Sequence, residues 1–363
     1  MRVLFYYSSP VWTGSARVFA SAARGLADRG YQVTYVCPPG GAVEARVAAE
    51  GCEVIPFEPG GAVALESWRL HHIFLERFVE TVFVHSDREH LAAAGAARLA
   101  GRGGIIRRTP AGEHLLPDRA TKLASRMAST GLLFTTQTEA QSAPPLPRLR
   151  GSLVAELGID PARYDELRPA TLNLHNGAPS PRLIVCVYDA GGKQRAATVL
   201  RTMGMLAPRH PELHLLLFGP GADHEDLRMQ AAALDIGHAV THLVARDDDL
   251  AVLRAADLGW VVASDDTAVY GVLDFQAMRV PVLIDRGTVA SRYVADGISG
   301  VTLPPGDTPS TAATIAELLS QDDQRAAMGS AGRSRVAREY TERSMVDAIQ
   351  RAADEARDRS RWK

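Results

Sequence analysis

The chain has 363 residues, with 40 Lys and Arg against 42 Asp and Glu, for a formal net charge of -2. Hydrophobic residues make up 46% and charged residues 23%, which excludes a disordered chain or a collagen and gives no support for nucleic acid as a partner. The three cysteines form no CxxC pair, so neither a zinc site nor a disulfide framework is signalled, and a reducing cytoplasm is expected.

In chain order the first run, Arg2–Tyr7, is rich in β-formers and reads as a strand rather than a signal peptide. Residues 15–29 place Val18, Phe19, Ala22, Ala23 and Leu26 at helical spacing, and Gly30 stops the helix. A strand at 32–37, a short helix at 43–50 and a strand at 52–57 follow. Then come a helix at 66–81, a strand at 82–85, a helix at 88–99, and strands at 105–107 and 132–135. This alternation predicts a parallel sheet with crossover helices.

Residues 141–181 break the pattern, with Pro- and Gly-rich stretches at 142–147 and 176–181. Alternation then restarts: strand 183–187, helix 193–207, strand 213–218, helix 223–234, strand 240–244, helix 248–256, strand 258–262, helix 271–279 and strand 282–284. A last helical stretch covers about 310–358. A single core stops growing near roughly 250–300 residues, so this length suits two α/β domains. The expected division is 1–170, joined by a helix at about 340–363, and 171–339. No apolar run reaches the ~18 residues of a membrane span.

The charge is uneven. Residues 1–150 carry 17 basic and 13 acidic side chains, a net of +4; the remainder carries 23 and 29, a net of -6, and the two sum to -2. Arg98, Arg102, Arg107, Arg108, Arg119, Lys122, Arg126, Arg148 and Arg150 stand against only Glu113, Asp118 and Glu139. Two readings are open: a solvated basic surface, or an anionic acceptor or lipid surface lying against this half.

Open α/β sheets bind ligands at the carboxyl ends of their strands. The first strand ends in a loop carrying Gly14 and Ser15, where a helix start offers free N–H groups to an anion or simply a Ser15 cap. The restarted sheet has Gly191-Gly192-Lys193-Gln194-Arg195 at the equivalent turn, matching neither a Walker nor a dinucleotide fingerprint. Gly219 and Gly221 follow the next apolar strand. His85 lies at the carboxyl end of a buried strand, as a functional group or a satisfied strand-end histidine. No Gly-x-Ser-x-Gly elbow or HExxH is present.

Residues 258–307 carry Ser264, Tyr270-Gly271, Gln276-Ala277-Met278 and Pro281-Val282, continuing to Val294-Ala295-Asp296-Gly297-Ile298-Ser299-Gly300. This stretch resembles the donor site of retaining nucleotide-sugar glycosyltransferases of the GT-B type, family 4. Gly14-Ser15 and 26–33 resemble the same family's amino end, and 318–340 its carboxyl end. The resemblance implies two Rossmann-like domains facing across a cleft, with the last helix crossing back to the first domain. It implies transfer of a sugar from a nucleotide diphosphate donor with retention, without a metal or other cofactor. Helix N-termini and cations would stabilise the departing diphosphate.

Carried over residue by residue, the resemblance makes Lys193 the diphosphate-contacting lysine, Gly14 the glycine near the same phosphates and His85 the acceptor-side histidine. Tyr270 and Gly271 stand for its Phe-Gly turn. Two departures matter. Ala268 and Gln276 occupy the positions of the family's two glutamates, and no cation stands at Tyr188 or Asp189, where the family has an arginine. Arg195 is a substitute for that arginine, and Asp265, Asp266 and Asp274 are candidates to replace the acids. The departures support an alternative, a transferase-like binding or regulatory protein. The acceptor is expected to be recognised by the first domain, as an anionic or membrane-associated molecule at the inner face of the membrane. A sugar-nucleotide epimerase shares the architecture, but its paired carboxylates cannot be assigned.

Overall fold

A computed structural model describes residues 1–172, 181–219, 224–244 and 249–358. The contacts divide the chain into two units: Met1–Gly158 together with the chain from Glu342 onward, and Ile159–Thr341.

The first unit is a seven-stranded, wholly parallel sheet in the order β3-β2-β1-β4-β5-β6-β7. The strands are β1 (Arg2–Tyr6), β2 (Gln32–Cys37), β3 (Glu53–Pro56), β4 (Thr81–Val84), β5 (Gly104–Arg108), β6 (Thr130–Phe134) and β7 (Leu149–Val154). Its helices are α1 (Gly14–Ala27), α2 (Ala42–Ala49), α3 (Val63–Glu76), α4 (Asp87–Ala100), α5 (Arg119–Met127), α6 (Gln137–Gln141) and α13 (Glu342–Asp358). Strand order reverses between β1 and β4, which sit side by side with Phe5 opposite Phe83. Helices α3, α4 and α5 pack as one layer over Leu4, Tyr6, Val82, Val84 and Ile105.

Helix α13 belongs to this unit although the whole second unit precedes it in sequence. Arg24 pairs with Glu342 and Arg29 with Asp347 (2.6 Å), and Tyr31 Oη donates to Asp354 (2.9 Å). Gly25 matters here, since a Cβ at that position would lie 2.7 Å from the Val346 methyls.

Strand β7 lies inside the stretch that reads as linker. Its sequence, LRGSLV, is half polar and largely exposed, so the apolar signal of a strand is weak there. Helix α5 was not expected either; it presents mostly charge and buries only Thr121, Ala124 and Ser125. The basic stretch is not uniformly a surface. Strand β5 is fully buried, and it takes Arg107 and Arg108 inside with it.

The second unit is a six-stranded parallel sheet in the order β10-β9-β8-β11-β12-β13. Its strands are β8 (Arg182–Val187), β9 (Leu213–Gly219), β10 (Val240–Val244), β11 (Leu258–Val261), β12 (Val282–Asp285) and β13 (Gly300–Leu303). Its helices are α7 (Lys193–Leu206), α8 (His224–Ala233), α9 (Asp249–Arg254), α10 (Asp265–Ala277), α11 (Thr308–Ser320) and α12 (Asp322–Glu339). The order reverses between β8 and β11, repeating the first unit's plan. Helix α10 starts six residues before the expected 271, because Ser264 adopts an extended N-cap conformation.

The last helical stretch breaks into three. Asp307 caps α11 by accepting from Ser310 N (3.1 Å). At the other end Arg325, buried on α12, donates to Leu318 O (2.6 Å) and Leu319 O (2.7 Å), satisfying carbonyls that the helix end leaves open. Ile159 and Tyr164 join this unit through Ile159 N to Tyr340 O (3.0 Å) and the Tyr164 hydroxyl to Asp274. The second predicted linker, 176–181, falls almost wholly outside the described residues.

Candidate functional site

Each unit places its chemistry at the carboxyl ends of the two strands where the order reverses, the position at which such sheets bind ligands.

In the first unit, β1 runs into Tyr7 and Ser8, and Thr13 caps α1 by accepting from Ala16 N (3.3 Å). Gly14 and Ser15 form the first turn of α1 and are buried. His85 and Ser86 follow β4. The His85 ring stacks on Tyr7 at 4.5 Å between centroids, with Phe19 edge-on at 6.0 Å. The Tyr7 hydroxyl is 2.7 Å from Thr13 Oγ1, so ring and cap are fixed together.

The centre of this arrangement is Glu89, which is fully buried. One carboxylate oxygen accepts from Ser8 N (2.6 Å). The other accepts from His85 N (2.9 Å) and Ser86 N (3.1 Å) and lies 2.7 Å from His85 Nδ1. Burial alone would raise the Glu89 pKa. The charge and hydrogen bonds of His85, with the Ser8 amide, overcome it and hold the carboxyl down at about 2. With Nδ1 fixed by Glu89, His85 has only Nε2 left to meet a ligand. Sequence reasoning missed Glu89, although Ser86-x-x-Glu89 is a capping box and the structure forms both of its bonds.

A second buried acid lies near. Glu66 on α3 accepts from the Tyr6 hydroxyl (2.6 Å) and from Arg88 Nη2 (2.6 Å). Further along the sheet, buried Arg107 donates to Asp87 (3.1 Å) and to Arg108 O (2.7 Å). Burial, helped by the Arg107 charge, pushes buried His90 down to about 3, so it stays neutral.

In the second unit, β8 ends at Val187 and the chain turns through Tyr188, Asp189 and Gly192 into α7. Asp189 accepts from Ser264 N (2.6 Å) and from the Ser264 hydroxyl, joining the end of β8 to the start of α10. Arg195 Nε donates to Val262 O (2.7 Å), and its Nη2 lies 4.0 Å from Asp189 Oδ1. Among the described residues that oxygen and that nitrogen, both buried, make no hydrogen bond. Two glycines permit the close packing. A Cβ on Gly192 would lie 2.8 Å from Val262 O, and one on Gly219 would lie 2.4 to 2.6 Å from the Tyr188 ring.

Asp265, at φ 49°, follows Ser264 and accepts from Thr267 N (2.8 Å). Its burial, reinforced by the Asp266 and Asp189 charges and opposed by Thr267, raises its carboxyl to about 6.

The structure therefore brings Gly14, Ser15 and His85 together in the first unit, and Arg195 and Ser264 together in the second. Lys193 is the first residue of α7, so its backbone stands at the same turn; its side chain lies outside the described residues. Gly219 closes β9 against Tyr188, and Gly221 lies outside the described residues. Tyr270, Gly271 and Gln276 are on α10 and buried. Gln276 stands about 18 Å from Ser264 at 1.5 Å of rise per residue. Its amide donates to Tyr293 O (3.0 Å) and Ser299 Oγ (3.2 Å), while its stem faces Gly332 on α12. Ala268 is also buried, and Asp274 holds the Tyr164 hydroxyl. Asp189 went unrecognised in the sequence, since a lone aspartate before Gly-Gly carries no signal of its partner 75 residues on.

The two doubly wound sheets, with α13 returned to the first, define an α/β protein of the GT-B glycosyltransferase fold. The fold is shared with the Anabaena protein Alr3699/HepE, crystallised with UDP and glucose; that structure covers 98% of this chain and 99% of its own at 16% identity and a TM-score of 0.78. Residues 175–335, which lie within the second unit, match the family model Glycosyl transferases group 1. A lipopolysaccharide core biosynthesis glycosyltransferase, LpsE of Rhizobium meliloti, is 23% identical over 39% of this chain and 41% of its own. A D-inositol 3-phosphate glycosyltransferase of Corynebacterium jeikeium is 28% identical over 43% of this chain and 39% of its own. The chain thus matches about two fifths of the length of these curated relatives.

Proposed function

We propose that this protein is a retaining glycosyltransferase that moves a sugar from a nucleotide diphosphate donor to an anionic, membrane-associated acceptor, without a metal or other cofactor. The carrying observation is the turn after β8, where Gly192, Arg195, Asp189 and Ser264 converge within the stretch that matches the Glycosyl transferases group 1 family. The donor diphosphate would lie at the start of α7, against backbone N–H groups, Lys193 and Arg195. These positive groups would stabilise the charge that develops as the sugar–phosphate bond breaks. Arg195 is already aligned by its bond to Val262 O, and its guanidinium would lend positive charge to this turn.

The acceptor role falls to the first unit. His85, with Nδ1 held by Glu89, would present Nε2 to an acceptor hydroxyl. The relatives are named for a lipopolysaccharide core and an inositol 3-phosphate, both anionic, which agrees with the exposed cations Arg98, Arg119, Lys122 and Arg126 of this unit. HepE was crystallised with UDP and glucose, so UDP-glucose is the first donor to try. Action at the cytoplasmic face of a membrane follows from an acceptor of that kind; among the described residues no helix is long and apolar enough to cross one.

The test is a thermal-shift screen of UDP-, GDP-, ADP- and dTDP-linked sugars, followed by product detection. One donor should raise Tm, since a ligand at a hundred times its Kd adds about 2.7 kcal/mol of stability. Absence of any shift at millimolar donor would sink the proposal. The buried Ala268 and Gln276 favour a second reading, a donor-binding protein without turnover. Binding without product under all acceptors would support it, and any glycosylated product would end it.

A further inference from the structure

The exposed cations of the first unit are ordinary, but its buried ones are not. Side chains of a strand alternate between its faces, so Ile105, Arg107 and Thr109 share one side of β5 and its continuation. Ile105 packs into the layer of α3, α4 and α5, and Arg107 enters the same layer, where it meets Asp87 at the start of α4. Thr109 keeps to the sheet by donating its N–H to Leu133 O (2.9 Å). Thr109 is 2% exposed and the Arg107 side chain 6%.

A buried charge is costly unless it is paired and fully hydrogen-bonded. Arg107 donates from Nη1 to Arg108 O (2.7 Å) and from Nη2 to Asp87 Oδ1 (3.1 Å). Among the described residues its Nε makes no hydrogen bond, and neither does the buried Thr109 hydroxyl. The one carboxylate bonded to Arg107 is itself 50% exposed. Burial pulls the guanidinium pKa down, and the Asp87 and Glu89 charges oppose this only in part. The same Asp87 oxygen also accepts from the Thr121 hydroxyl (3.5 Å), in the first turn of α5. It thus stands where Arg107 and the starts of two helices meet, and helix starts favour negative charge.

We infer that this junction is a subsite for a phosphate group of the acceptor, bound by Arg107 with Thr109 and Thr121, and that Asp87 is the internal carboxylate which the phosphate displaces. The half-exposed Asp87 side chain can swing into solvent, whereas the guanidinium is fixed in the layer. A phosphate monoester carries about -1.5 to -2 at neutral pH, so it competes well against a single carboxylate for a guanidinium. The place suits an acceptor group. Arg107 lies opposite Val84 in the β4–β5 register, and Val84 is the residue before His85. The inference rests on the anionic acceptor proposed above and names the residues that would read its charge.

The probe is inorganic phosphate, titrated calorimetrically into the full chain with ionic strength held by sodium chloride. All proteins carry Arg195→Ala, so that the donor turn contributes little. Asp87→Asn should bind phosphate about tenfold more tightly, because the competing carboxylate and its like charge are gone. Arg107→Gln should bind it about tenfold or more weakly, through loss of a charged hydrogen bond. Circular dichroism confirms that each variant is folded, and Asp87→Asn, at a half-exposed position, tests the inference even if Arg107→Gln does not fold. Equal phosphate affinity with and without Asp87→Asn would overturn the assignment. So would acetate binding as tightly as phosphate, since the site would then not select a phosphate. Titration of UDP into the protein with Arg195 intact reports separately on the transferase reading.

Discussion

The two strand-reversal sites solve one geometric problem in different ways. Both use an acid to tie one strand's end to the next segment. In the first unit Glu89 is wholly buried, and its two oxygens meet three backbone N–H groups and the His85 ring. In the second unit Asp189 spends one oxygen on Ser264, and among the described residues its other oxygen has no hydrogen bond but pairs at 4.0 Å with Arg195 Nη2. A saturated network holds a side chain in place, whereas buried polar atoms without partners need an explanation.

This contrast predicts a ranking of effects. The largest belongs to Glu89. Glu89→Ala strands three N–H groups and His85, and unfolding should become easier by about 3–5 kcal/mol, read by denaturant titration. The pH dependence follows the same acid. Its folded pKa, about 2, lies below the ordinary value, so its contribution is complete above about pH 4.5 and is lost as pH falls toward 2. Glu89→Gln should flatten that acid limb of the stability profile.

Next is Gln276, where the structure departs from what a glutamate would allow. Gln276→Glu places a buried carboxylate opposite Tyr293 O, which can only accept, and should cost roughly 3 kcal/mol as an unmet charged group. The loss should be smaller at pH 5 than at pH 8, since the protonated acid can donate. Equal stability at both would mean that the side chain turns elsewhere.

Much of this contrast was legible in the sequence and some was not. The strand–helix alternation gave both sheets, because largely apolar, buried strands such as β9 and β11 carry their signal alone. Strand β7 and helix α5 escaped because their burial is partial and their residues polar. Gly14, Ser15, His85, Lys193, Arg195 and Ser264 are visible as strand-end residues. Glu89 and Asp189 act through partners far away in sequence, Ser8 in one case and Ser264 in the other, and periodicity is silent about such pairs. The burial of Arg107 and Arg108 was equally hidden, since charge counting cannot tell a surface from a core strand.

Smaller effects sharpen the second site. Gly219→Ala sets a Cβ into the Tyr188 ring and should cost about 1–3 kcal/mol, with donor affinity falling as Tyr188 shifts. Ser264→Ala removes one hydroxyl from Asp189 and should cost about 1 kcal/mol in stability. By contrast Arg98→Ala, at an exposed position, should alter stability by no more than about 0.5 kcal/mol.

The central claim is that the turn after β8 holds the diphosphate of the donor. Calorimetric titration of UDP into the full chain and into Arg195→Ala tests it most directly. Saturable binding by the parent protein is expected, weakened about tenfold or more in the variant by loss of a charged hydrogen bond of roughly 1.5–3 kcal/mol. Equal affinity in the two proteins would contradict the assignment.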